Sequence, residues 1–162
     1  MAVQIVGISD LKVALPPDTL VTYALGSCVG ICLLDSVSMV GGLSHIMLPY
    51  CDALPNDKNK YKFADSAIPE LIRQMELKGA RTARMTAKIA GGAQMFELQQ
   101  GVSNEIWQVG RRNVTAVLET LQKLKVPVVS KDVLENYGRT VSFNPQNGVM
   151  TVRAVKKEPI SI

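Results

Sequence analysis

Residues 19–48 read TLVTYALGSCVGICLLDSVSMVGGLSHIML, and this stretch decides the fold class. It holds three apolar runs rich in Val, Ile and Leu, punctuated by Gly26 and by the Gly41-Gly42 pair. Short runs of this kind are typical of β-strands, so we predict strands at 20–25, 29–35 and 41–48. Because three strands follow one another with no helix between them, the stretch favours an α+β fold over an alternating one.

Similar segments predict strands on both sides of this stretch. They lie at 3–8, 12–17, 126–130, 138–144 and 148–155, with one more strand that leads into a glycine turn within 84–96. The segment NPQNG joins the last two strands, and its Asn147-Gly148 pair is a strong signal for a tight hairpin. Residues 51–62 are polar and contain proline, which indicates an exposed loop.

A first helix is predicted after this loop. Asp65 or Ser66 is the expected N-cap, and Pro69 then falls in the first turn, where its missing N–H removes no helix bond. Gly79 is placed to end the helix in a left-handed cap. The expected buried face consists of Ile68, Leu71, Ile72 and Met75.

A second helix is predicted between Asn113, the expected N-cap, and Pro127, which stops it. Its apolar stripe consists of Val114, Val117, Leu118, Leu121 and Leu124. Two principal helices among grouped strands predict a layered α/β sandwich of the α+β class, with mainly antiparallel or mixed sheets. At 162 residues the chain fits a single domain, residues 1–162.

Composition and charge exclude several classes of function. The formal net charge is +4, but the basic residues are dispersed and lack interleaved aromatic residues, which argues against nucleic-acid binding. The longest uncharged run, residues 19–34, is interrupted by glycines and is shorter than the ~20 residues of a membrane-spanning helix. Three cysteines and no secretory leader favour a reducing compartment, so we expect a cytoplasmic protein.

The candidate chemistry centres on Cys28 and His45, the only histidine in the chain. Taken singly, each is more typical of a core residue than of a reactive one. Taken together, they offer a nucleophile and a group that acts as both base and acid. The Gly26-Ser27 turn before Cys28 can direct successive backbone amides at one point, as an oxyanion hole requires. The residues alone do not choose between core filler and nucleophile.

Three competing sites are weaker. A zinc centre built from Cys28, Cys32, His45 and Cys51 lacks the usual tight ligand spacing, and we expect no metal and no cofactor. A serine nucleophile at Ser27 lacks a recognised motif. In the segment KIAGGAQMF, Gly91-Gly92 has no phosphate-loop signature around it, so a tight turn explains the pair better. Ser44 as a serine nucleophile would adjoin the histidine in sequence, which makes it equally unconvincing.

Several segments in fixed order resemble the CheD family of chemoreceptor glutamine deamidases of bacterial chemotaxis. The resemblance covers residues 3–155 and is carried by LVTYALGSCVGICLLD, GGLSHIMLP, YKFADSAIPELI, AKIAGGAQMF, VGRRNV and NYGRTV. It implies a hydrolase that converts glutamine side chains on the cytoplasmic domain of chemoreceptors to glutamate. The family's nucleophile falls on Cys28, its histidine on His45, and its third member on Thr22, which would orient the imidazole. Backbone amides of Ser27 and Cys28 are the candidate oxyanion donors.

The resemblance also implies a regulatory partner, a CheC-type phosphatase that acts on phosphorylated CheY. Phe96 is our candidate contact for the substrate or the partner. One departure from the family pattern is Leu134-Glu135, where a Gly-Gly pair is expected, and it leaves the geometry of that loop open. The alternative function is a non-catalytic adaptor that docks on the phosphatase or the receptor. Intact Cys28 and His45 favour the enzyme.

Overall fold

The computed structural model describes residues 1–94 and 108–162. Their regular elements are ten strands and two α-helices, with short 3₁₀ turns at Cys51–Ala53 and Thr82–Arg84. The strands are β1 (Val3–Ile5), β2 (Asp10–Ala14), β3 (Thr19–Leu25), β4 (Val29–Asp35), β5 (Val40–Ile46), β6 (Met85–Gly91), β7 (Val128–Val133), β8 (Arg139–Asn144), β9 (Val149–Arg153) and β10 (Ile160–Ser161). The helices are α1 (Ala64–Leu77) and α2 (Val109–Lys123).

The strands form two five-stranded mixed sheets. The outer sheet has the order β1-β3-β8-β9-β10, and the central sheet has the order β2-β5-β4-β6-β7. The pairs β1–β3 and β6–β7 are parallel and the other pairs are antiparallel. The predicted α+β class, with mixed sheets and two principal helices, is therefore confirmed for the described residues.

The central sheet is covered on both faces. One face packs with α1 and α2 around a core that includes Ile31 and Leu71, and the other packs on the outer sheet around a core that includes Leu43 and Phe143. Every residue of β5 is buried as a result. A strand buried on both faces has a nearly continuous apolar sequence, which is why residues 29–48 look so apolar.

The predicted start of α1 is wrong. The helix begins at Ala64, its N-cap is Phe63, and no side chain caps it. The backbone N–H of Ala64 donates to Leu48 O, so the chain leaving β5 sets the start of the helix. Pro69 therefore lies beyond the first turn. The other end is as predicted, because Gly79 follows the helix with a φ of +102°.

The predicted cap of α2 is also wrong. The helix begins at Val109 after Gln108, so Asn113 lies inside it and is fully buried. The predicted apolar stripe does face the core: Val114, Val117 and Leu121 are buried, and Leu118 and Leu124 are partly buried against the same cluster. The helix axis and face were thus predictable, whereas its first turn was not.

The predicted strands are confirmed apart from their ends, and the hairpin at Asn147-Gly148 joins β8 to β9. β10 was missed, because it contains only two exposed residues. Among the described residues, no helix is both long and apolar enough to span a membrane.

Candidate active site

His45 lies near the end of β5 and faces the outer sheet. Leu43, two residues earlier on the same face of the strand, belongs to the core between the sheets. His45 pairs with Asp10 of β2 on one side and with Gly30 of β4 on the other. A Cβ atom added to Gly30 would lie 3.8 Å from the methyl group of Thr22 and closer still to Leu25, both in β3. The glycine thus leaves room for the outer sheet beside the histidine.

Thr22 fixes the tautomer of His45. The threonine hydroxyl lies 2.7 Å from Val6 O and 2.7 Å from His45 Nδ1, and both side chains are fully buried. The hydroxyl has one proton, and a carbonyl oxygen can only accept, so that proton goes to Val6. His45 Nδ1 must then carry a proton and donate it to the threonine. This assigns the lone pair of the imidazole to Nε2.

The environment of His45 keeps the imidazole neutral. Burial lowers its pKa from 6.5 to about 4, since the charged form loses its hydration between the sheets. Its Nε2 atom is buried and has no hydrogen-bond partner among the described residues. A neutral imidazole whose Nε2 lone pair accepts no hydrogen bond can act as a base.

Cys28 lies at the same end of the central sheet. It immediately precedes β4, two residues before Gly30, the residue opposite His45. Residues two apart on a strand share a face, and the partly buried Cys28 accordingly packs against the core between the sheets. The thiol and the imidazole therefore face the same layer of the molecule at the same end of the central sheet.

Burial affects the resting state of Cys28. A neighbouring base can hold a cysteine nucleophile as thiolate, but burial raises the pKa of Cys28 above its ordinary value. Hydrogen bonding by the backbone N–H of Cys28 itself acts in the opposite direction but is the smaller effect on this pKa. Both shifts, at Cys28 and at His45, favour a neutral thiol and a neutral imidazole over the ion pair.

The backbone around the nucleophile candidate is held by the segment after β6. Gly92 N donates to Cys28 O at 2.8 Å, and Ala93 N donates to Gly26 O at 2.9 Å. A Cβ atom on Gly91 would lie 2.3 Å from Cys28 O, and the φ angles of Gly91 and Gly92 are +113° and +68°. The predicted tight turn is not seen, because Gly91 ends β6 as a paired strand residue, and the pair instead allows close approach of two backbones.

Leu134 and Glu135, where the resemblance leads us to expect a Gly-Gly pair, adopt backbone angles that are typical of glycine. Leu134 and Glu135 have φ angles of +69° and +63°, which glycine adopts far more readily. Leu134 N donates to Gly91 O at 2.9 Å, and Arg139 donates to Leu134 O at 3.0 Å. The contact with Gly91 therefore forms with the larger residues in place.

Asn113 is a site residue that sequence reasoning assigned wrongly. Its side-chain nitrogen donates to Ser27 O at 2.9 Å and to Met47 O at 3.0 Å. These carbonyls flank the two candidate reactive residues, one just before Cys28 and the other two residues after His45. No local pattern could reveal these bonds, because their partners are 86 and 66 residues away in the chain.

The remaining candidates lie apart from this arrangement. Cys32 is buried in the core, with its sulfur 3.5 Å from that of Met150, and burial raises its pKa. Cys51 is exposed beside Asp65. The described residues contain no cluster of three or more groups suited to a metal ion. Phe96 lies outside the described residues.

The two most prominent cavities among the described residues lie away from Cys28 and His45. A cavity of about 740 Å³ lies between the 51–60 loop and α1, and neither Cys28 nor His45 lines it. A second cavity of about 560 Å³ lies near Ala24 and Arg139.

The arrangement defines a class of site: a thiol, a neutral imidazole with a free lone pair, and a hydroxyl that orients the ring. Known proteins of one family resemble the chain over most of its length. Residues 47–154 match the family model described as CheD chemotactic sensory transduction. Proteins named probable chemoreceptor glutamine deamidase CheD match over more of the chain. The relative from Lachnoclostridium phytofermentans is 44% identical, covering 94% of this chain and 93% of its own length.

Two further relatives carry the same name. The protein from Syntrophomonas wolfei is 46% identical, over 93% of this chain and 92% of its own length. The protein from Clostridium acetobutylicum is 47% identical, over 93% of this chain and 89% of its own length. The chain therefore belongs to the CheD family.

Proposed function

We propose that this protein hydrolyses the side-chain amide of selected glutamines on the cytoplasmic domain of chemoreceptors, giving glutamate and ammonia. Cys28 is the nucleophile, His45 is the general base and acid, and Thr22 orients His45. The observation that carries the proposal is the buried Thr22–His45 hydrogen bond, which leaves the Nε2 lone pair free on the face that Cys28 shares. Family membership supplies the substrate class.

The first half of the reaction forms a thioester. Because the resting pair is neutral, the Cys28 proton passes to His45 Nε2 as the sulfur attacks the glutamine carbonyl carbon. The negative charge moves to the carbonyl oxygen, where the backbone N–H groups of Ser27 and Cys28 stabilise it. The imidazolium then gives its proton to the departing nitrogen, and ammonia leaves as the carbonyl re-forms.

The second half restores the enzyme. His45, neutral again, takes a proton from a water molecule that attacks the thioester carbon. The second tetrahedral intermediate collapses with the sulfur as leaving group, and the imidazolium returns the proton to Cys28. The products are a glutamate side chain and a free thiol. A hydroxyl in the position of Thr22 keeps the ring oriented through both halves but, unlike a carboxylate, does not offset the imidazolium charge.

A regulatory partner and the location are proposed on family grounds. A CheC-type phosphatase is the proposed partner, and its binding would compete with the receptor. A protein that acts on the cytoplasmic domain of receptors works in the cytoplasm. The adaptor alternative predicts that such complexes form without any conversion of glutamine.

The deciding experiment incubates the protein with a chemoreceptor cytoplasmic fragment and follows glutamine-to-glutamate conversion by mass spectrometry of its peptides. Cys28→Ala is expected to abolish conversion. Cys51→Ala is the matched control, because it removes an exposed cysteine outside the site and is expected to keep the full rate. Conversion by Cys28→Ala at the wild-type rate would rule out the proposed nucleophile. Wild-type protein that binds the fragment but converts nothing would favour the adaptor.

A further inference from the structure

The side chain of Asn113 joins the two strands that hold the candidate nucleophile and base at the point where their pairing ends. The register of β4 with β5 runs as far as Val29 opposite Ile46. Directly beyond this pair, Ser27 O and Met47 O both accept hydrogen bonds from Asn113 Nδ2, at 2.9 and 3.0 Å. One side-chain amide on α2 thus donates to a carbonyl of each chain segment at the point where the hydrogen bonding between β4 and β5 stops.

The orientation of this amide is unambiguous. Both N–H groups of Asn113 are used, and the reverse orientation would place its oxygen against two carbonyl oxygens. In the observed orientation Asn113 Oδ1 is buried without a hydrogen-bond partner among the described residues. A buried acceptor without a partner is unfavourable for stability. The contribution of Asn113 to the structure therefore comes from its two N–H groups, which fix the carbonyls of Ser27 and Met47.

The peptide between Ser27 and Cys28 connects this contact to the chemistry. A trans peptide is planar, and its C=O and N–H point in opposite directions. Anchoring Ser27 O on Asn113 therefore directs the Cys28 N–H away from α2. That amide belongs to the same residue as the sulfur, so covalent geometry keeps the two close, and its hydrogen bonding acts to lower the pKa of the thiol. An oxyanion formed by attack of this sulfur would develop within reach of the same N–H.

We propose that Asn113 is a positioning residue that orients the Ser27–Cys28 peptide so that its N–H serves as an oxyanion donor. The inference rests on the proposed thiol chemistry, and it assigns the alignment of the Ser27–Cys28 peptide to a residue of the helix. Gly92 N, bonded to Cys28 O, holds the next peptide, so the backbone is fixed on both sides of the nucleophile.

The test compares Asn113→Ala with Leu121→Ala, a matched control on the same helix. Leu121 is fully buried in the core between α2 and the central sheet, so its truncation lowers stability without reaching Ser27. Both variants are assayed at a temperature at which circular dichroism shows them folded. Removal of one oxyanion donor typically lowers kcat by about 10²–10³-fold, so we expect Asn113→Ala to lose at least about 10-fold in kcat with little change in KM. Leu121→Ala is expected to keep the wild-type kcat.

Alkylation of Cys28 by iodoacetamide supplies a second measurement. This reaction develops no oxyanion, so its rate in Asn113→Ala should stay close to that of wild type while kcat falls. A wild-type kcat in Asn113→Ala would overturn the inference, as would equal losses of kcat in the two variants. Should Asn113→Ala fail to fold, Asn113→Ser takes its place, because serine retains one hydrogen-bond donor. Its kcat is expected to be lower than that of wild type at unchanged KM, and a wild-type kcat would again overturn the inference.

The two proposals fail in different ways. If wild-type protein converts no glutamine, the proposed function fails, and the orientation of the peptide is then judged by NMR. The Ser27 carbonyl and Cys28 amide resonances should both shift in Asn113→Ala and stay in place in Leu121→Ala. Unshifted resonances in Asn113→Ala would show that Asn113 does not orient this peptide.

Discussion

Thr22→Val tests how much of the site depends on one hydroxyl. Valine keeps the branched shape of threonine but cannot hydrogen-bond, so the substitution leaves Val6 O and His45 Nδ1 without their shared partner. Both groups are buried, and each orphaned buried group costs about 1–3 kcal/mol, so we expect the free energy of unfolding to fall by about 2–6 kcal/mol.

The effect on activity follows from the tautomer. In the wild type, the hydrogen bond to Thr22 favours the proton on Nδ1 and the lone pair on Nε2. Loss of a buried hydrogen bond worth about 1–3 kcal/mol removes that preference and leaves about half of the molecules in the productive tautomer. We therefore expect kcat to fall by about 2-fold or more, which is less than the loss on removing Cys28 or His45.

The single histidine makes the measurement direct. Imidazole ¹⁵N NMR shifts report which ring nitrogen carries the proton, and no other histidine contributes to the spectrum. Wild type and Thr22→Ser should show the proton on Nδ1, whereas Thr22→Val should show a mixture or the Nε2 form. If Thr22→Val keeps both the Nδ1-protonated ring and the wild-type kcat, the assigned role of the threonine is wrong.

Three further outcomes are expected. In a Cys51→Ala background, iodoacetamide should modify Cys28 before the buried Cys32, and because burial raises the pKa of Cys28 its rate should keep rising above pH 8.5; a plateau near neutral pH would contradict this. His45 has a folded pKa of about 4 against 6.5 unfolded, so only the unfolded chain takes up this proton between those values. Stability should fall as pH drops from 6.5 to 4, by up to about 3 kcal/mol, and chemical denaturation of His45→Gln should lack this part of the slope. Glu135→Gly should raise the free energy of unfolding by about 0.5–1 kcal/mol, since glycine relieves a left-handed φ of +63° at an exposed position, and a loss of stability would show that the loop is not strained.

The strands and helix faces could be predicted because their signals are local. The apolar runs of residues 20–48 and the Asn147-Gly148 turn specify backbone conformation within a few residues. The predicted helix starts were wrong because the signals that set them are not local. The helix α1 begins where its first backbone N–H donates to Leu48 O, a contact that the helix sequence does not encode. Asn113 has a typical capping side chain, but its partners lie on distant strands.

The candidate site could be predicted only in part. Cys28 and His45 attract attention as a cysteine after a glycine-serine turn and as the only histidine, but their spacing does not require that they approach each other. Thr22 came from the family resemblance alone, because one threonine in an apolar strand carries no distinctive signal. The resting protonation of the pair depends on burial between two sheets, which only the packed structure supplies.

The order of strands in the outer sheet has a consequence for biosynthesis. β3, which carries Thr22, lies between β1 and β8, and Thr22 pairs with Val141 from the last quarter of the chain. A nascent chain that has not yet extended beyond β8 leaves β3 without one neighbour and the inner face of β5 uncovered. Pairings between distant segments form slowly and late in folding. The thiol, the imidazole and the hydroxyl are all synthesised early, whereas β8, a neighbour of the strand that carries the hydroxyl, is synthesised late.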